Sequence, residues 1–188
     1  MSDAAATILV IGTFDSKSDE YTFLRDQLHS LGCDVVTVNV GVMTPQCDFP
    51  IDVAAEDVSQ AGGKSLEELR AADDRGAAMK CMSIGAAQVV ADLARKKQID
   101  GVIGMGGSGG TSVICSAMRA LPIGIPKVCV STVASSDTSP YVGAKDIVLI
   151  PSVTDISGLN RVSRRVIAQA AAAVCGICLL YTSDAADE

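Results

Sequence analysis

The sequence predicts an α/β domain: a Rossmann-like, open and mainly parallel sheet with helices on both faces. Three observations carry that prediction. Short apolar runs of five to seven residues alternate with stretches of helical periodicity, as βαβ units require. Hydrophobic residues make up 48% of the 188 positions but aromatics only 3%. A core of Val, Ile, Leu, Ala and Met suits a sheet covered on both faces better than a sandwich. A glycine-rich stretch, Gly104-Met105-Gly106-Gly107-Ser108-Gly109-Gly110-Thr111, joins one of the strands to one of the helices.

The first strand is expected at Thr7–Ile11, followed by the loop Gly12 to Lys17 and a helix over Ser18–Leu31. Tyr21, Leu24, Leu28 and Leu31 recur at helical spacing, Asp19 and Glu20 suit the first turn, and Gly32 stops the helix. Asp34–Val40 reads as the second strand. Asp15 and Lys17 then project from the first β-to-α loop, at the sheet edge where ligands of open α/β folds collect. Residues 41–63, with Pro45, Pro50 and four acids, read as an irregular excursion or a lid. Ser65-Leu66-Glu67-Glu68 is a capping box for a short helix. A longer helix is predicted over Asp74–Lys97, with Met79, Met82, Ala86, Val89 and Leu93 on one face; Asp73, Asp74 and Arg75 mark its start.

Ile99–Ile103 is the next expected strand, with a helix over Thr111–Ala120. The glycines between them keep side chains away from the turn. Backbone N–H groups and the positive helix end can then meet a phosphate, while Ser108, Thr111 and Ser112 offer hydroxyls. The competing reading is a glycine turn that only lets helix and strand pack closely. The later elements are a strand at Lys127–Ser131, a loop over 132–143, a strand at Asp146–Ile150, and a last helix from about Ser157. That helix turns Leu159, Val162, Val166, Ile167 and Val174 inward. Thr132, Ser135, Ser136, Asp137 and Thr138 cluster after a strand end, where hydroxyls and one acid can hold a ribose, a phosphate or a hydrated metal ion. A self-bonded polar turn would use the same residues.

Other classes are disfavoured. Gly104-x-Gly106-x-x-Gly109 matches the dinucleotide fingerprint, yet no acid follows the next strand before Asp137, which argues against an NAD-type oxidoreductase. The loop ends Gly-Gly-Thr without the lysine of a standard P-loop. A net charge of −7 gives no basic footprint for nucleic acid. The lone His29 reads as a helix-end dipole partner. Six cysteines before residue 177 show no ligand spacing and read as buried thiols, and the N-terminus has no basic leader, so a reducing cytoplasm is expected and a membrane is not. Cys178 to Glu188 resembles the one-frame translation of a sequencing-library adapter. The division expected is therefore a nucleotide-binding domain over 1–177, a fragment of a larger two-domain protein, and an adapter-derived tail over 178–188.

GTFDSK, DDRG, IGMGGSGGTS, LPIGIPKVCVSTVAS, DTSPYVGAKDIVLIPSV and DISGLN occur in order. Together they resemble the N-terminal domain of the uncharacterised protein family that includes the tomato mosaic virus replication inhibitor. The resemblance implies a Rossmann-like domain that binds ATP with Mg²⁺ and is followed by a second domain. It implies that Gly106, Gly107, Ser108, Gly109, Gly110 and Thr111 meet the phosphates, with Thr132, Ser135 and Asp137 nearby. Lys17 or Arg75 would neutralise phosphate charge, and Asp15 or Asp137 would hold metal or orient a nucleophile, with Asp137 the expected metal residue. Ser136 stands where the family often has glycine. Two functions follow as expectations: ATP binding that supports hydrolysis or phosphoryl transfer, or a non-catalytic nucleotide-sensing module that engages a protein partner or forms a homo-oligomer.

Overall fold

A computed structural model describes residues 5–184, with side chains described to residue 180; the last four residues of the predicted tail lie outside it. Five strands form one all-parallel sheet: β1 (Thr7–Gly12), β2 (Asp34–Asn39), β3 (Gly101–Gly106), β4 (Lys127–Ser131) and β5 (Ile147–Pro151), in the order β2-β1-β3-β4-β5. Seven helices accompany it: α1 (Ser18–Ser30), α2 (Ala55–Ala61), α3 (Leu66–Ala72), α4 (Arg75–Arg95), α5 (Ser108–Ala120), α6 (Ser139–Val142) and α7 (Arg161–Asp184). The predicted fold class is the observed one.

Strand alternation divides the core in two. Leu9, Ile11, Val38, Val102 and Cys129 face α4 and α5, whereas Ile8, Val10, Ile103, Met105, Val128 and Val130 face α1 and α7. Both faces are thus covered, as an all-parallel sheet requires. The edge strand β2 is shielded by the segment before α2. Val53 bridges Val38, Asp52 accepts from the Thr37 N–H at 2.8 Å, and the Thr37 hydroxyl lies 2.9 Å from both Asp52 Oδ2 and the Pro50 carbonyl, sharing its one proton between them.

Several boundaries differ from the sequence reading. β3 starts two residues and ends three residues later than expected, and includes Gly104 and Gly106. A Cβ on Gly104 would lie 2.6 Å from the Ile11 carbonyl and 2.8 Å from Ile114, so glycine lets α5 lie close on the strand. Helix α2 occupies part of the excursion at 41–63, and α6 part of the loop at 132–143. The capping box of α3 forms as predicted, with Ser65 accepting from Glu68 N and Glu68 accepting from Ser65 N. Asp74 caps α4 by accepting from the Ala77 N–H at 3.0 Å. The buried face of α4 is Ala78, Cys81, Met82, Gly85, Ala86 and Val90, leaving Met79 half-buried. Val162 points outward, because α7 begins only at Arg161; Val166, Ile167 and Val174 are buried as expected.

Helices α4 and α7 have the length and composition of membrane spans, but each packs its apolar face inside the domain. The cysteines are free thiols, all buried except the half-buried Cys47. The fold brings the Cys33 and Cys175 sulfurs to 2.7 Å, a proximity that sequence spacing did not signal. Helix α7 continues into the predicted tail, where Cys178 is buried with its thiol against Gly101, its pKa pushed up to about 12 by that burial.

Candidate functional site

The strand order reverses at β1 and β3, since the chain leaves β1 for α1 on one face and β3 for α5 on the other. In open α/β sheets that switch point, outside the carboxyl ends of the strands, is where ligands bind. Beneath it Tyr21 acts as a splint. Its buried hydroxyl accepts from Met105 N at 2.9 Å and lies 2.7 Å from Met105 O and 2.9 Å from Ile11 O. Burial pushes its pKa up, so it stays a neutral donor. Gly12 makes room for it: a Cβ there would lie 1.8 Å from the phenol oxygen.

A cleft of about 610 Å³ opens above this point. Its floor and walls come from the β1–α1 loop (Thr13, Asp15, Ser16), the end of β2 (Val40 to Met43), the α3–α4 junction (Leu69 to Arg75), and the start of α5 (Gly109, Gly110). Asp15 accepts from Met43 N at 2.9 Å, and Gly41 lies so close that a Cβ would sit 2.6 Å from that carboxylate. Buried Asn39 ties the two loops together, accepting from Phe14 N at 3.2 Å and Gly41 N at 2.9 Å. Arg70 donates to the Val42 carbonyl at 2.6 Å.

The amino end of α5 is built from weak helix formers. Gly107 is the N-cap and makes no side-chain capping bond; Ser108, Gly109 and Gly110 form the first turn. The first amides of a helix have no partner within it, and each glycine costs about 1 kcal/mol relative to alanine in a helix interior. Sterics do not account for these residues. Gly107 and Gly110 have φ outside the left-handed region, a Cβ on Gly107 would find only Thr132 Oγ1 at 3.8 Å, and one on Gly110 would find nothing within 4 Å. The Arg75 guanidinium stands over the same turn, 3.4 Å from where a Gly109 Cβ would be, and has no acidic partner among the described residues. Bare amides, a helix dipole and an unpaired cation converge on one point of the cleft.

Of the other residues expected at the phosphates, Thr111 is fully buried. Its hydroxyl is shared between the Gly106 carbonyl and Ser131 Oγ, and its N–H bonds Gly107 O, so it anchors the turn from below. Lys17 donates to the Ile156 carbonyl and lines no cavity described here. Together with Glu20, which accepts from Gly158 N at 2.6 Å, it holds the segment before α7 against α1. Asp137 is exposed and outside both cavities. Its Oδ1 accepts from the Ser139 hydroxyl at 2.5 Å and N–H at 3.0 Å, and those bonds lower its pKa. Ser136 carries no left-handed φ, so the serine is unstrained there. Among the described residues, no group of three or more His, Cys, Asp or Glu is placed to hold a metal ion.

Thr132 and Ser135 lie apart from the cleft, in a second cavity of about 300 Å³ over the carboxyl ends of β4 and β5. Sequence reasoning reached the glycine turn and Arg75. It missed Asn39, Arg70 and the loop 152–155, which carry no motif and matter only through where the fold puts them.

The molecule is therefore a parallel α/β domain with an anion-ready helix terminus at its switch point. It belongs to the uncharacterised protein family UPF0261, whose N-terminal domain it matches over residues 6–183. That match gives no support to setting residues 178–188 apart as foreign sequence. A UPF0261 protein of Clostridium tetani is 44% identical over 170 residues, covering 90% of this chain and 42% of the relative. The ToMV resistance protein Tm-1(GCR237) of Solanum lycopersicum is 41% identical, over 90% of this chain and 24% of the relative. A UPF0261 protein of Brucella suis is 35% identical, over 96% and 43%. The chain spans less than half the length of these curated relatives.

Proposed function

We propose that this domain binds ATP as its Mg²⁺ complex in the cleft at the β1/β3 switch point. The observation that carries the reading is the Arg75 guanidinium poised over an uncapped, glycine-built helix start that the fold's own packing does not require. The phosphates meet the amides of Ser108, Gly109 and Gly110 and the charge of Arg75. Apolar Val40, Val42, Met79 and Val113 line the same cleft and offer a surface for the base. Mg²⁺ bound to a nucleotide keeps several waters and needs only one or two carboxylates. Asp15, which lines the cleft and engages Met43 N through Oδ2 alone, is better placed for it than Asp137. The bound ion would offset phosphate charge; Asp15 would orient it and Arg75 would hold the anion.

Phosphoryl transfer or hydrolysis is the reaction class such a site serves, in a cytoplasmic protein whose further domain completes the site. The tomato relative's name, a ToMV resistance protein, prompts the second reading: a nucleotide-sensing module that engages a protein. Calorimetric titration with ATP and ADP, with and without Mg²⁺, tests the binding. Arg75→Ala is expected to weaken ATP binding about tenfold, equivalent to about 1.4 kcal/mol. Undiminished affinity in that variant, or no binding by the folded domain, overturns the assignment. Phosphate release on adding ATP separates the enzyme from the sensor.

A further inference from the structure

The second cavity has features that the nucleotide cleft does not explain. Ser131, Thr132, Ser135, Pro151, Ser152, Val153, Thr154 and Asp155 enclose it. No lysine, arginine, histidine or aromatic ring is among them, so it is not built for phosphate or for a base. Two of its polar groups are already spent: Ser131 Oγ bonds Thr111 and accepts from Val133 N, and Ser152 Oγ donates to Thr154 O at 2.6 Å. The Thr132 and Ser135 hydroxyls and the Asp155 carboxylate have no partner among the described residues, and all three residues are exposed. Thr154 Oγ1 is closed off from solvent and makes no hydrogen bond. A buried hydroxyl without a partner is costly in a native fold and calls for a cause. The segment that carries it is held off a regular path, since Val153, a β-branched residue, sits at φ 66°. That turn leaves Thr154 Oγ1 beneath the cavity surface, not on it.

We infer that this cavity is a second ligand site, for a small neutral polyhydroxylated molecule such as a polyol or monosaccharide. The two open hydroxyls, of Thr132 and Ser135, both donate and accept, and with the accepting Asp155 carboxylate they match the mixed donor and acceptor character of vicinal hydroxyls. A neutral ligand needs no cation, and an anion would meet Asp155. The volume stands at the small end of ligand pockets. A Cβ on Gly107, the N-cap of α5, would lie 3.8 Å from Thr132 Oγ1, so the cavity begins beside that helix start. The inference does not rest on the nucleotide reading.

Saturation-transfer NMR with myo-inositol and D-ribose as probes, and inorganic phosphate as the charged control, provides the test. Saturable binding of at least one polyol is expected, weakened about tenfold or more by Asp155→Asn and by Thr132→Val. Both positions are exposed, and circular dichroism confirms that each variant folds. Binding of neither polyol, binding insensitive to both substitutions, or phosphate outcompeting the polyol overturns the proposal. So does displacement of the polyol by ATP in direct competition, which would make the cavity part of the nucleotide site.

Discussion

The two edges of the sheet are finished in opposite ways. At the amino edge, polar groups are matched to partners. The buried Lys127 ammonium opens β4 and donates to the carbonyls of Pro122 and Ile125 and to the Asp146 carboxylate, all within 2.8 Å. Asp146 also accepts from Gly124 N, and Asp100 accepts from Thr7 N, each at 2.8 Å. At the carboxyl edge, beside paired groups such as Asn39 and Glu20, stand unmatched ones: an uncapped helix start, an Arg75 without an acidic partner among the described residues, a strained Val153 and an orphaned Thr154 hydroxyl. One sheet thus holds a region satisfied for stability and a region left unsatisfied where ligands enter. Substitution separates the two, because loss of a partner should destabilise the first edge, whereas at the second it is binding that should suffer.

The largest effect is expected from Lys127→Met. The thioether fills the lysine's place but donates nothing, leaving two carbonyls and a carboxylate without their donor. Removing one partner of a buried ion pair costs about 3–5 kcal/mol, and the half-open Asp146 side brings this toward about 3 kcal/mol. For a domain of this size that lowers the melting temperature by about 6–12 °C, measured by calorimetry. A change below about 2 °C would show that the amino edge is not where stability is concentrated.

Asp146→Asn is the milder form of the same break. Partial burial works against the Asp146 charge, but the Gly124 N–H, then the Lys127 ammonium, outweigh it and hold the carboxyl below its usual range. A folded pKa below the unfolded one gives stability that is present above the unfolded pKa of about 3.9 and lost as pH falls through the folded value. Wild type should exceed the variant by about 1–2 kcal/mol at neutral pH, discounted for the exposed side of the pair. The difference should shrink once the pH drops below the ordinary carboxylate range. A gap that persists unchanged in acid would mean that the amide loses something other than charge.

The amino edge was the harder one to read in the sequence. Strand positions follow from apolar runs, and Lys127–Ser131 was placed at both ends because its pattern is local. The pairing of Lys127 with Asp146 is not local: a lysine opening an apolar strand reads as solvent-facing until the fold buries it. Even at the carboxyl edge, Glu20 with Gly158 and Asn39 between two loops were hidden for the same reason. Helix α2 was missed because seven residues span barely two turns, too few for a 3.6-residue period to show. The carboxyl edge was easier, since glycine runs and capping acids are signals in themselves. There the sequence blurred two roles: Gly104 is a packing glycine inside β3, and Gly107 and Gly110 are the open ones, a distinction that only neighbouring atoms reveal.

Gly110→Ala probes the carboxyl edge with the smallest change in stability, and with the opposite sign. The residue has a backbone that alanine adopts without strain, lines the cleft, and would point a methyl into open space. Alanine favours the helix by up to about 1 kcal/mol over glycine and narrows the unfolded ensemble, so the melting temperature should rise by about 2–4 °C. The same methyl stands where a phosphate would approach the amides, and ATP affinity should fall about tenfold, or about 1.4 kcal/mol. A fold that would be steadier with alanine and yet carries glycine is keeping the backbone bare for something outside itself. A rise in stability with undiminished affinity would show that the bare turn is not a phosphate cradle. A loss of stability would place Gly110 with the packing glycines and erase the contrast between the two edges.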